Sequence, residues 1–156
     1  MTMPSVTFIK GNTRYNTYDD WKLASDGEPI IAIPAQKVQT IDIPGMNGVL
    51  DISNSLKIGG GPIFQNREGS FTFYFLDMSF YNTNSWDEYI SEKKRILKQI
   101  IEVVHGQFLN VETTGDPGVV YHGRFTVEPY TDDNSSPAGK LTISYSLKPT
   151  PVVVNE

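Results

Sequence analysis

The sequence predicts an α+β fold: an antiparallel β-sandwich with one long flanking α-helix and a long Gly-rich loop or β-hairpin. Three observations predict it. Runs of alternating apolar and polar residues recur toward both ends of the chain, and a single segment of helical period, Trp86 to Val104, interrupts them. Between Pro44 and Pro62, five glycines (Gly45, Gly48, Gly59, Gly60 and Gly61) surround only brief apolar pieces, a composition that suits an excursion and not a core.

Val6 to Lys10 reads as a short strand, stopped by the Gly11-Asn12 turn signal, and Ile30 to Ile33 as a short apolar run fenced by Pro29 and Pro34. Lys37 to Ile43 alternates, with Gln39, Ile41 and Ile43 on one face, which predicts a strand exposed on one side. In Phe71 to Leu76, Phe71, Phe73 and Phe75 share a face and bury much area per residue, so this strand is expected at the centre of the sheet.

The helix has a signal at each end. Ser85 is placed as N-cap with Glu88 three residues on, a capping box, and Gly106 stands just past the C-terminus. Trp86, Tyr89, Ile90, Leu97, Ile100, Ile101 and Val104 form one apolar stripe, which should lie on a sheet. Lys93, Lys94, Arg95 and Lys98 alternate with Glu88, Glu92 and Glu102 at pairing distances and are expected to form a solvated face. Strands return at Phe108 to Thr113, Val119 to Glu128 and Leu141 to Lys148, with turns at Gly115 to Gly118 and Thr131 to Ser136. Pro149 to Glu156 reads as an extended tail to a single domain spanning 1–156.

Composition narrows the function. A hydrophobic share of 38% with eight Phe and eight Tyr belongs to a chain that folds. The net charge of −5 argues against a surface built to wrap nucleic acid. The absence of cysteine removes disulfides, thiolate metal sites and a cysteine nucleophile, and fits assembly in a reducing cytoplasm. No basic stretch followed by an apolar run opens the chain and no segment has about 18 consecutive apolar residues, so neither export by a signal peptide nor a membrane partner is expected.

Chemistry is sparse. His105 and His122 have no spacing that converges two ligands on a metal, and no GxSxG or SxxK serine appears. Asp19-Asp20 and Asp132-Asp133 are adjacent pairs in polar segments, without the alternation of a calcium loop. Gly59 to Gly61 precedes Pro62 and lacks the Lys-Ser/Thr of a phosphate cradle. No catalytic residue, cofactor or metal is therefore expected. The informative segment is Asp42 to Asp51, Asp-Ile-Pro-Gly-Met-Asn-Gly-Val-Leu-Asp, a loop with no group that titrates near neutrality and none that attacks carbon. Any function it carries is contact. A glycan-binding sandwich for cell-wall attachment is a second class, with Trp21, Trp86 and Tyr130 as the aromatic platform, and an esterase or glycosidase, for which no turnover is expected, is a third.

The order of several short motifs resembles the distal tail proteins of long-tailed bacteriophages and prophages. Tyr18-Asp19-Asp20-Trp21-Lys22-Leu23 is followed by Ile43-Pro44-Gly45 and Gly48-Val49-Leu50-Asp51, then by Asn66-Arg67-Glu68 before the aromatic strand. His105-Gly106-Gln107, Asp116-Pro117-Gly118 and Tyr121-His122-Gly123-Arg124 come after the helix. The family usually has Arg where Met46 stands. The resemblance implies a tail-tube-like domain that forms a homo-hexameric ring between the tail tube and the tail-tip hub, in the virion baseplate. Its implied partners are the tube protein, the tail-associated hub protein and the tape-measure protein, with DNA only in transit. A tail-tube subunit is the nearest variant of that reading. The inter-subunit or tube contacts are expected at Ile43, Pro44, Gly45, Met46, Asn47, Gly48, Asp51 and Arg67.

Overall fold

The structure is a computed structural model, and it describes residues 3–45, 47–48, 50–53, 61–76, 81, 84–128 and 139–152. Its strands are β1 (Val6–Lys10), β2 (Thr13–Asn16), β3 (Leu23–Ser25), β4 (Thr40–Ile41), β5 (Leu50–Asp51), β6 (Arg67–Phe75), β7 (Phe108–Thr113), β8 (Val120–Val127) and β9 (Lys140–Leu147), with helix α1 (Trp86–Val104) after β6. Seven of them make one antiparallel sheet in the order β2-β1-β7-β8-β9-β6-β3, and β4 pairs with β5 apart from it. Among the described residues the protein is thus mostly β with one helix.

Two packed sheets were expected; seven of the described strands form a single sheet that curls. The outermost strands β2 and β3 are consecutive in the chain, and residues 17–22 bring them together. Thr17 donates to the Val6 carbonyl on one side and accepts from the Leu23 N–H on the other. Trp21, in this connection, is fully buried against Phe8 and Tyr15. The curl thereby acquires a single interior, lined by alternate residues of every long strand: Val6 and Phe8, Phe71, Phe73 and Phe75, Leu109 and Val111, Phe125, and Leu141, Ile143, Tyr145 and Leu147.

Helix α1 closes that interior. Its predicted limits and cap are observed: the Ser85 hydroxyl accepts the Glu88 N–H, and the Glu88 carboxylate reaches back to the Asn84 N–H, one residue beyond the reciprocal partner of a capping box. The buried face differs from the expected stripe. It runs Tyr89, Lys93, Ile96, Ile100, Val103 and Val104, leaving Trp86 and Ile101 exposed. Lys93 is 2% exposed, with its ammonium 5.2 and 5.3 Å from the ring centroids of Tyr89 and Phe75. It is a core residue, and only Lys94, Arg95 and Lys98 of the basic cluster lie on the open side. The aromatic faces of Tyr89 and Phe75 attract the cation and its methylene stem packs as a hydrocarbon would.

Two further expectations are corrected. Strand β6 sits next to the edge strand β3, not at the centre; its phenylalanines are buried by the curl and the helix, so their burial does not require a central place. The fenced apolar run 30–33 has one buried side chain, Ile31. The segment 149–152 is docked: Val152 donates to the Val120 carbonyl, and the Pro149 carbonyl accepts from Arg67.

Candidate functional site: an exposed apolar arm

Between Ile33 and Gln65 the chain leaves the sheet and returns to it as a two-stranded arm. At the root, Lys37 donates to the Ile63 carbonyl and Gln65 to the Ala35 carbonyl, around an isolated bridge of Gln36 with Phe64. Farther out, the Ile52 N–H reaches the Gln39 carbonyl, and β4 pairs with β5 through Thr40 opposite Asp51 and Ile41 opposite Leu50. The strand expected over Lys37 to Ile43 is regular only at Thr40–Ile41. Ser53 is buried here and ties the two sides: the Gln39 N–H donates to its hydroxyl, which donates in turn to the Asp51 carboxylate. Those bonds from the Ser53 hydroxyl and N–H hold the Asp51 carboxyl below its ordinary pKa, so it is a stable anion.

The arm exposes apolar side chains throughout. Ile33 is 89% exposed and Val38 64%, and Ile41, Ile43, Leu50 and Phe64 are open as well. A contiguous run of this kind is uncommon on a surface that meets only water.

Of the sequence-selected residues, Ile43, Pro44, Gly45, Asn47, Gly48 and Asp51 all lie exposed on the arm. Gly45 and Gly48 have φ of 83° and 78°, the left-handed region that turns the hairpin with no Cβ in the way. Met46 lies outside the described residues, as do Val49 and 54–60, which include Gly59 and Gly60 of the Gly-rich run. Arg67 is brought to the arm's root. Its guanidinium donates to the Ala32 carbonyl at 3.0 Å and twice to the Pro149 carbonyl, at 2.9 and 3.1 Å, and lies 4.9 Å from the Tyr121 ring centroid. A cleft of about 760 Å³ opens beside it between Ile33, Phe64, Pro149 and Pro151. Ile33, Val38 and Phe64 were not selected from the sequence; the prolines fencing them were the available signal.

The residues weighed for chemistry are engaged in structure. The His105 Nδ1 accepts the Val127 N–H, and the His122 Nδ1 lies 2.8 Å from the Asn110 Oδ1. Asp20 accepts the Asn16 N–H in a turn, while Asp132 and Asp133 fall outside the described residues. Among the described residues no three His, Asp or Glu side chains gather as metal ligands, and no helix is long and apolar enough to cross a membrane. The aromatic platform loses Trp21, which is fully buried, and Tyr130 lies outside the described residues.

No family profile matches the sequence, and no curated protein matches it. Among solved structures, the chain is similar to the Dit protein (gp 19.1) of phage SPP1, described as a paradigm of the hub adsorption apparatus in phages infecting Gram-positive bacteria. The two superpose with a TM-score of 0.59 at 11% identity, over 94% of this chain and 50% of that one. The likeness is one of fold, and this chain spans about half the length of the phage protein.

Proposed function

We propose that this chain is a structural component of a phage tail, one subunit of a homo-hexameric ring of tail-tube-like domains at the distal end of the tube. The arm supports this reading most directly: a two-stranded extension with Ile33, Val38, Ile41, Ile43, Leu50 and Phe64 in solvent needs a surface to cover it. The likeness in fold to a phage hub adsorption protein supplies the assembly in which such a surface exists. In this reading the arm crosses the seam between neighbours, the ring joins the tube protein to the tail-tip hub and meets the tape-measure protein, and the bore passes DNA. The reading assigns no catalytic role, cofactor or metal. The net charge of −5 favours a wall that repels phosphates and lets DNA slide.

Negative-stain electron microscopy and light scattering of the purified chain test it. The expected particle is a six-fold ring, and deletion of residues 45–61 should leave a folded monomer. A filament would favour a tube subunit, and a monomer at high concentration would defeat the ring.

A further inference from the structure

The tip of the arm holds the chain's one Asn-Gly pair, Asn47-Gly48. In such a pair the side-chain amide is open to attack by the next backbone nitrogen, because glycine carries no Cβ to shield that nitrogen and its backbone turns freely. The attack needs a free side-chain amide, an unpaired N–H behind it and a backbone with room to turn.

The arm meets each need. Asn47 and Gly48 are exposed, in the bend between β4 and β5 and outside their pairing. Among the described residues the Asn47 amide has no hydrogen-bond partner, and the Gly48 N–H has no acceptor. Gly48 has φ of 78°, and a Cβ built on it would meet nothing within 4 Å. The other described asparagines are held or shielded. Asn16 donates to the Ser5 and Thr7 hydroxyls and accepts the Tyr18 and Asp19 N–H groups, and the Thr17 N–H behind it is bonded to the Val6 carbonyl. Asn66 donates to the Ser146 hydroxyl, and Asn110 is paired with His122 within β7. Asn12 and Asn84 precede Thr13 and Ser85, whose side chains stand beside the attacking nitrogen.

We propose that Asn47 is a site of spontaneous deamidation, and that its product weakens the contact the arm makes with a neighbouring subunit. The Gly48 nitrogen gives up its proton and bonds to the Asn47 Cγ; the Cγ–Nδ2 bond breaks, and ammonia leaves with that proton, closing a cyclic imide. Water then opens the imide. Cleavage of the new bond at Cγ gives aspartate, whereas cleavage at the backbone carbonyl gives isoaspartate, whose main chain runs through the former side chain and is a methylene longer. The balance needs only water, which is consumed as ammonia is released. Either product places a further anion on an arm that already carries Asp42 and Asp51. A carboxylate covered without a partner is costly, and a lengthened main chain disturbs the turn that sets Ile41 opposite Leu50. The effect on contact rests on the ring reading above; the deamidation itself does not. A tip covered by a neighbour loses the freedom the attack requires, so the change falls on subunits left unassembled.

Ageing the purified chain at mildly alkaline pH, where the amide nitrogen loses its proton more readily, tests both parts. Peptide mapping by mass spectrometry should show Asn47 converting well ahead of every other asparagine, with an isoaspartate product that a protein isoaspartyl methyltransferase labels. Asn47→Gln should remove that signal. Conversion at Asn47 no faster than at Asn16 or Asn110, under conditions that convert a free peptide of residues 42–51, would show that the fold protects the tip and would overturn the site. Light scattering of aged and fresh protein then reads the consequence. Aged wild type should need a severalfold higher concentration to assemble, while aged Asn47→Gln should match its fresh form. Equal assembly of aged and fresh wild type would overturn the effect on contact and leave the ring standing. A fresh wild-type monomer would overturn the ring and that effect together, and the peptide map would still decide the deamidation.

Discussion

Arg67 ties the start of the arm to the end of β9. Its three hydrogen bonds join the Ala32 carbonyl before the arm to the Pro149 carbonyl after β9, and its planar face rests over Tyr121. Lysine cannot reproduce a fork of donors held on a ring. Arg67→Lys is expected to cost about 1–3 kcal/mol in urea denaturation. Tyr145 acts from the other side: its hydroxyl accepts the Ala32 N–H at 2.9 Å and packs over Gly69, where a Cβ would strike the phenol ring. Burial raises its pKa above 10.0, partly opposed by the Ala32 bond and the Arg67 charge. A folded-state pKa above the unfolded one contributes stability that is complete below about pH 10 and is lost as pH rises through the folded value. Tyr145→Phe should therefore flatten the alkaline decline of thermal stability, and should remove a phenol that ionises late in a spectrophotometric titration.

At the level of elements, the helix was the most legible part of the sequence because its signals are local. Ser85 and Glu88 mark its start and Gly106 its end, each within a few residues of the terminus it sets, and Gly106 takes φ of 71° just past its C-cap. Ser85→Ala should destabilise the protein by about 1 kcal/mol, read from its melting temperature. Which face is buried was less legible. Lys93 occupies a core position that a polarity pattern assigns to water, and the true stripe is rotated away from Trp86 and Ile101 accordingly. The limits of β1 and β7 match their alternating runs, but the arm shows alternation over Lys37 to Ile43 with only two residues of regular strand. Side-chain alternation reports extended backbone; it does not report whether a partner strand continues alongside. The turn within Asp42 to Asp51 was readable from its glycines, whereas the grouping of Phe108, His122 and Arg124 is assembled by the register of β7 on β8 and has no sequential signature.

For the whole molecule, strand order was beyond the sequence. It depends on pairings such as β6 with β9 and β1 with β7, which join residues far apart in the chain. One crowded approach shows how tightly these are set: a methyl on Gly123 would sit 2.7 Å from the Leu147 Cα and closer still to the Ser146 carbonyl oxygen. The interior of the curl and the arm should consequently differ in local stability. In hydrogen exchange, amides of β8 and β9 near Phe125 and Ile143 are expected to open only with global unfolding. Those of β4 and β5 should exchange orders of magnitude faster in a monomer and become protected on assembly.

The prolines around the arm bear on how fast the proposed ring could assemble. Pro29 and Pro34 precede its outgoing strand, Pro44 stands near its turn, and Pro62 lies on the returning side at the root. Each holds its own φ near −65° and restricts the residue before it, so much of the arm's conformational freedom is absent before any partner arrives. In the proposed ring a neighbour would then meet an arm with less freedom to lose, and ordering would slow association less.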